Sequence, residues 1–293
     1  MSVMIQDRYM NLKLSERGAM ISIATYLVLS ALKLFVGISM GSRALRADGF
    51  NNVTDILASV AVLIGLKLSQ RPADSDHPYG HWKSETIASL FASFIMMAVG
   101  VQVLFDGAQS IFNGHEERPD LLAAWIGLLC AAIMFSVYAY NKRLSKKTGS
   151  NSVLAAAKDN FSDGCVSIGA SIGIFGAQIH LNWLDSAAAF VIGLLICKTA
   201  WDIFRESSYR LSDGFDDKTL HAFNHLVHSV PGVEGVRDIR GRNYGNNTVI
   251  DLVIVVDPDM SLREAHRISS RVEAVLMDKY DVFEVHVHVE PNE

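Results

Sequence analysis

Six apolar runs, each close to the roughly 20 residues a helix needs to cross a bilayer, constrain this chain more than any other feature. They fall near Gly18–Met40, Ala44–Ser69, Ser84–Phe112, Leu121–Tyr140, Val153–Ile179 and Trp183–Phe204. Half of the 293 residues are hydrophobic and 19% are charged, with a mean hydropathy of +0.23. That balance excludes a disordered chain, a collagen-like repeat and an ordinary soluble enzyme. The first, fourth and sixth runs are plainly apolar, whereas the second and fifth carry acids and amides. The first run follows the polar MSVMIQDRYMNLKLSERG and is long enough to span, so no cleavable signal peptide is expected. Cys130, Cys165 and Cys197 sit in apolar runs at unrelated spacings, which suits small packing residues better than a disulfide framework or thiolate site.

Basic residues collect on one side of these spans. Lys142, Arg143, Lys146 and Lys147 follow the fourth span, and Arg205 and Arg210 follow the sixth. The connection after the third span, NGHEERPD, is net acidic, and HLNW after the fifth has no Lys or Arg. Arg43 and Arg46 weaken the pattern without reversing it. The positive-inside rule therefore places both termini in the cytoplasm of a multi-pass cell-membrane protein.

The composition changes near residue 209, which divides the chain into a six-span transport domain (1–208) and a soluble tail (209–293). The tail is charged and net acidic, so it repels phosphate backbones and no nucleic-acid partner is expected. DDKTLHAFNHLVHSV reads as a helix, and VEGVRDIRGR and TVIDLVIVV as strands separated by a NYGNN turn. MSLREAHRISSRVEAVLMDKY reads as a second helix, with Ser261 and Glu264 at capping-box spacing, and FEVHVHVEP as a last strand. The order αββαβ predicts helices on one face of a small sheet, an α+β ferredoxin-like arrangement. Asn246-Asn247-Thr248 matches a glycosylation acceptor, but a cytoplasmic turn leaves it inert.

Polar residues inside the spans need an explanation, because a carboxylate near the bilayer centre costs several kcal/mol. Asp48, Asn51, Asn52 and Asp55 share one face of the second span; Asp159, Ser162 and Asp163 share one face of the fifth. Asn51/Asp55 and Asp159/Asp163 are each spaced i, i+4, stacking two oxygen donors a turn apart. No Lys or Arg shares these faces. Two facing pairs would supply three carboxylates and an amide oxygen, a hard site for a divalent cation. Interhelical hydrogen bonds between protonated acids are the bland alternative. Asp48 and Asn52 are either supporting groups or packing groups.

Three further sets carry possible metal chemistry. Asp74, His77 and His81 form an N/O array in the loop after the second span, beside Lys83 and Glu85. His221, His225 and His228 occupy a solvated helix face. His266, His288 and Glu290 could converge from a helix and a strand, and alternation puts His286 on the same strand face as His288.

Taken together, ADGFNNVTD, DHPYGHWKSE, KDNFSD, DPDMSLREAH and VHVEP resemble the cation diffusion facilitators over essentially the whole chain. The resemblance implies a homodimer, no enzymatic activity and no catalytic cofactor, with a divalent metal as the transported substrate. It places the transport site at Asn51, Asp55, Asp159 and Asp163, and a loop site at Asp74, His77 and His81. It also implies a charge interlock between Lys83 and Asp213. A cytoplasmic metal site would use Asp251, His266, His288 and Glu290, but two further His positions of the family are Arg237 and Val253 here. Zinc exporters of the family usually place His in the transport quartet. The all-oxygen set here looks like the bacterial manganese-exporting branch, and it suits Mn²⁺ better than Zn²⁺ in ligand chemistry. Zn²⁺, Fe²⁺, Co²⁺ and Cd²⁺ are the alternative cargoes.

The expected mechanism is alternating access with metal out and protons in, the protons carried by Asp55, Asp159 or Asp163. A proton-coupled exporter of organic cations would also use membrane acids but would want an aromatic-lined cavity. A non-transporting sensor would leave the quartet unexplained.

Overall fold

A computed structural model describes residues 2–113, 119–148, 151–245 and 247–292. Long helices occupy the apolar runs: α1 (Ser2–Ser39), α2 (Arg43–Ser69), α3 (Ser84–Asn113), α4 (Leu121–Thr148), α5 (Asn151–Gln178) and α6 (Trp183–Leu211). Among the described residues, five of these are long and apolar enough to cross a membrane. The other is α5, where Lys158, Asp159, Asn160 and Asp163 dilute the apolar residues. α1 starts well before its apolar run, and α4 and α6 continue past theirs, because a helix leaving lipid carries on while its side chains accept water. Residues 114–118 of the acidic NGHEERPD connection lie outside the described residues, as does Asn246 of the glycosylation acceptor.

Small residues and one capping carboxylate set how the helices meet. A Cβ on Gly49 of α2 would lie 2.9 Å from Leu34 Cδ2 and 3.1 Å from the Leu34 backbone nitrogen. Only glycine permits so close an approach of α1 to α2. The first amides of a helix lack intrahelical acceptors; for α2 the acceptor is Asp185 of α6. Its carboxylate takes hydrogen bonds from Ser42 Oγ (2.8 Å), Arg43 N (2.7 Å) and Ala44 N (3.3 Å). Val36, Leu45, Ala123, Ala124 and Ile174 form a buried cluster joining α1, α2, α4 and α5. Cys130 is buried in a neighbouring cluster with Tyr26, Leu29 and Met134, while Cys165 is exposed.

By internal packing the chain divides into two units, residues 1–60 with 92–201, and residues 61–91 with 202–293, a cut that passes through α2, α3 and α6. The second unit contains a small α+β layer pair in the order αββαβ: α7 (Asp217–His228), β1 (Gly235–Tyr244), β2 (Asn247–Val256), α8 (Leu262–Tyr280) and β3 (Glu284–Pro291). β2 is central, antiparallel to β1 and parallel to β3. Alternate residues Ile250, Leu252 and Ile254 of β2 are buried with Phe223 and Val227 of α7 and Val272 and Leu276 of α8. Asp216 caps α7, and Ser261 with Glu264 forms the expected capping box on α8. The hairpin is tighter than the sequence suggested. β1 runs through Tyr244 and β2 starts at Asn247, so Asn243, Tyr244 and Asn247 of NYGNN are strand residues. Gly245 has φ +61, and a Cβ there would lie 2.7 Å from the Trp82 carbonyl oxygen.

Candidate functional site

The i, i+4 pairs on α2 and α5 face each other. Asn51 Nδ2 donates to Asp163 Oδ1 at 3.0 Å and to Asp55 Oδ2 at 3.4 Å, so one amide bridges a carboxylate from each helix. Asp163 is buried and Asp55 half-buried. Asp159, a turn from Asp163 on α5, is exposed, yet close enough to interact electrostatically with both Asp55 and Asp163. Turning the Asn51 amide about its last torsion would present Oδ1 in place of Nδ2. The four side chains can then offer oxygen donors from two helices to one cation.

The supporting groups come from α1, which sequence reading had treated as plain apolar scaffold. Lys33 is fully buried, with Nζ 3.0 Å from Asp48 Oδ1 and 2.6 Å from Asn52 Oδ1. The sequence reading of the acid-bearing faces of α2 and α5 covers their own residues alone, and the cation that meets the α2 face comes from α1. A cation from the neighbouring helix neutralises Asp48, and Asp48 and Asn52 belong to that contact rather than to the bridged pair. Also from α1, Tyr26 Oη donates to Asp163 Oδ2 at 2.6 Å. The available signal was spacing: Ser22, Tyr26 and Lys33 fall at i, i+4 and i+11, one face of a helix, and Lys33 is a lone cation in an apolar run.

The loop between α2 and α3 holds Asp74, His77 and His81. Each offers a ligand atom, and these atoms lie within 4.8 Å of one another; among the described residues no other group of His, Cys, Asp or Glu does this. Asp74 Oδ1 accepts from the backbone N–H of His77 (2.7 Å) and of Asp76 (3.1 Å), which curls the loop into a turn. His77 Nδ1 lies 3.2 Å from Asp74 Oδ1, and His81 Nε2 lies 3.6 Å from Asp74 Oδ2. The His77 backbone N–H is the main reason the Asp74 carboxyl is held below the usual carboxylate range. His81 Nδ1 is buried without a hydrogen-bond partner. Close by, Lys83 Nζ reaches Asp213 Oδ1 at 2.9 Å and lies 4.9 Å from the centre of the Tyr244 ring. Tyr79 stacks on the same Tyr244, and Trp82 packs on Phe283.

The tail residues are not brought together in this way. Strand register sets Asp251 beside His286, Val253 beside His288 and Val255 beside Glu290. Asp251 pairs with Arg242 at 3.1 Å, and Glu290 pairs with Arg237 and has His288 Nε2 3.7 Å away. His266 is exposed on α8. His286 and His288 both face outward, since the alternate valines take the core side. His221, His225 and His228 are exposed on α7, with His221 3.4 Å from Asp217.

Two family models match the chain: "cation efflux transmembrane domain" over residues 19–212 and "cation efflux protein, cytoplasmic domain" over residues 215–292. The chain is 54% identical over 287 residues to the manganese efflux system protein MneS of Bacillus subtilis, covering 98% of this chain and 99% of that protein. It is 28% identical over 288 residues to the manganese efflux system protein MneP of the same organism, covering 95% of this chain and 97% of that protein. It is also 31% identical over 281 residues to the magnetosome protein MamM of Magnetospirillum gryphiswaldense, covering 93% and 87% respectively.

Proposed function

The chain belongs to the cation efflux family, a multi-pass membrane transporter of metal cations and not an enzyme, and from that premise we propose that it exports Mn²⁺ in exchange for protons by alternating access. The observation that carries this reading is the Asn51 amide bridging Asp55 and Asp163 between α2 and α5. With Asp159 beside them, these side chains form the transport site, and all of their donors are oxygens. An oxygen-only set matches the ligand preference of Mn²⁺ and lacks the imidazole that favours Zn²⁺. Fixed affinity order disfavours Mn²⁺, so its selection rests on geometry and availability. The full name of the 54% identical relative supports the same ion. Zn²⁺, Fe²⁺, Co²⁺ and Cd²⁺ remain competing cargoes.

Six helices would span the bilayer with both termini in the cytoplasm. The fifth tolerates Asp163 because that acid and its neighbour Asn160 are buried within the bundle. A doubly charged ion offsets most of the charge on three carboxylates, and protons offset it on the return. The functional boundary lies near residue 209, and two copies pair through their tails. Asp74, His77 and His81 take a second metal, with Lys83 and Asp213 as the interlock. Asp251, His266, His288 and Glu290 would hold metal in the tail only after Arg237 and Arg242 release their acids.

Flux through the purified protein in liposomes, measured with Mn²⁺, Zn²⁺, Fe²⁺, Co²⁺ and Cd²⁺ against a proton gradient, tests the proposal. Mn²⁺ should move fastest at equal concentration and acidify the opposite compartment. No metal movement, or movement without counter-flow of protons, would overturn it.

A further inference from the structure

Behind Asp163 lies a buried polar chain that metal ligation by itself does not require. Asn141 Nδ2 on α4 donates to Ser22 Oγ (2.8 Å) and to Asn160 Oδ1 (3.1 Å). Ser22 Oγ donates to Asn160 Oδ1 at 3.0 Å, Asn160 Nδ2 donates to Tyr26 Oη at 3.2 Å, and Tyr26 Oη donates to Asp163 Oδ2 at 2.6 Å. Ser22, Tyr26, Asn141 and Asn160 are all buried, with relative exposures of 4%, 9%, 0% and 0%. Three helices contribute, and the donors run in one direction and end on a single carboxylate oxygen.

That direction has a chemical consequence. A tyrosine hydroxyl has one proton. Because its oxygen already accepts from Asn160, the proton is committed to Asp163 Oδ2. Asp163 Oδ1, which faces Asn51, is left as the oxygen turned toward α2. Hydrogen bonds to a charged acceptor are short and roughly twice as strong as neutral ones, and chains of them reinforce one another in a low-dielectric interior.

We propose that Tyr26, held by Asn160, is a positioning residue that restricts Asp163 to one-oxygen ligation and so sets the size of divalent ion the site accepts. This inference rests on the transport-site reading above. Carboxylates that engage with both oxygens belong to roomy, high-coordination sites of larger cations, whereas single-oxygen contacts suit smaller ones. Tyr26 thus discriminates against larger ions by occupying the oxygen they would need. The hydroxyl touches the ligand and not the ion, so its effect appears in preference more than in turnover.

The test uses the full-length protein in proteoliposomes, with initial rates for Mn²⁺ and for the larger Cd²⁺ analysed as Vmax/KM. In Tyr26→Phe, which keeps the ring and its packing, the Cd²⁺/Mn²⁺ ratio should rise about tenfold, the worth of one hydrogen bond to a charged group. Asn160→Ala keeps the hydroxyl but lets it turn away, and should move the ratio in the same direction by less. A residue that only supports the fold would lower both rates together. A ratio within about twofold of the parent in Tyr26→Phe overturns the proposal, whatever happens to the absolute rates. Should Tyr26→Phe fail to fold, the ratio in Asn160→Ala decides in the same way. Asp163→Ala separates the two levels of inference. Persistent Mn²⁺ flux in that variant would sink the transport-site reading, whereas lost flux with an unmoved Tyr26→Phe ratio would sink only the role given to Tyr26.

Discussion

The side chains between α2 and α5 and the array in the loop both pair an aspartate with a second donor about one turn away, yet they solve opposite electrostatic problems. In the loop, Asp74 is exposed and its charge is held by backbone N–H groups and two histidines within reach of water. A cation there adds to an arrangement that is already stable. In the bundle, Asp163 and Asp48 are buried, and each has a dedicated neighbour from α1, Tyr26 for one and Lys33 for the other. The difference teaches that burial, and not ligand type, decides how much supporting structure an acid needs. In hydrocarbon an unpaired carboxylate is costly enough to recruit partners from a third helix.

The largest effect that could break this contrast is loss of a quartet acid. Asp55→Ala or Asp159→Ala should lower Mn²⁺ flux in liposomes by about a hundredfold or more, as expected when a group that touches the ion is removed. Full flux in the double variant would dissolve the distinction, since the bundle acids would then be structural only. Next comes the buried pair. Lys33→Met strands the Asp48 carboxylate and should destabilise the protein by about 3–5 kcal/mol, read as a fall in Tm in detergent. Adding Asp48→Leu should recover most of it, because removing both charges of a buried pair is often neutral. If the single variant loses nothing, Lys33 does not neutralise Asp48.

A tenfold effect is expected from changing ligand softness inside the bundle. Asn51→His introduces imidazole into an oxygen-only set and should shift the Zn²⁺/Mn²⁺ flux ratio toward zinc by about tenfold, equivalent to 1.4 kcal/mol. An unchanged ratio would remove Asn51 from the ligand set. The loop should respond least. His81→Ala is expected to weaken metal binding at the loop by about tenfold while changing Mn²⁺ flux only a few-fold, as measured by isothermal titration alongside transport. The pH dependence has a definite sign. The Asp74 carboxyl is held below its usual range, so the stability it lends the turn is fully present above that range and is lost only as pH falls beneath it. Between pH 8 and pH 5 Asp74 stays charged, and loop binding that collapses in that window with an Asp74-dependent midpoint would contradict the geometry.

Much of this was legible in the sequence because it depends on local periodicity. The i, i+4 pairs of α2 and α5, the capping box at Ser261 and Glu264, and the alternation of β3 all follow from repeats of 3.6 or 2 residues. What escaped depends on contacts between distant segments. Tyr26 and Asp163 are 137 residues apart, and Asn141 meets Ser22 across 119. No spacing rule in one chain announces such meetings. The Lys33–Asp48 pair, only 15 residues apart, escaped for another reason. An isolated lysine in an apolar run looks like an exception to be tolerated until its partner is known. The hairpin was misjudged because Asn243 and Tyr244 look like turn residues, yet both pair with β2.

Lys33 also bears on how the protein is made. While α1 is alone in the bilayer its ammonium has no partner, and its insertion is unfavourable by several kcal/mol. Relief arrives as soon as Asp48 emerges, because only the short turn at Gly41 separates the two helices and Gly49 lets them touch. The first two helices should therefore leave the translocon as a hairpin rather than one after the other, which makes the earliest step of biogenesis also the one that aims Asn51 and Asp55.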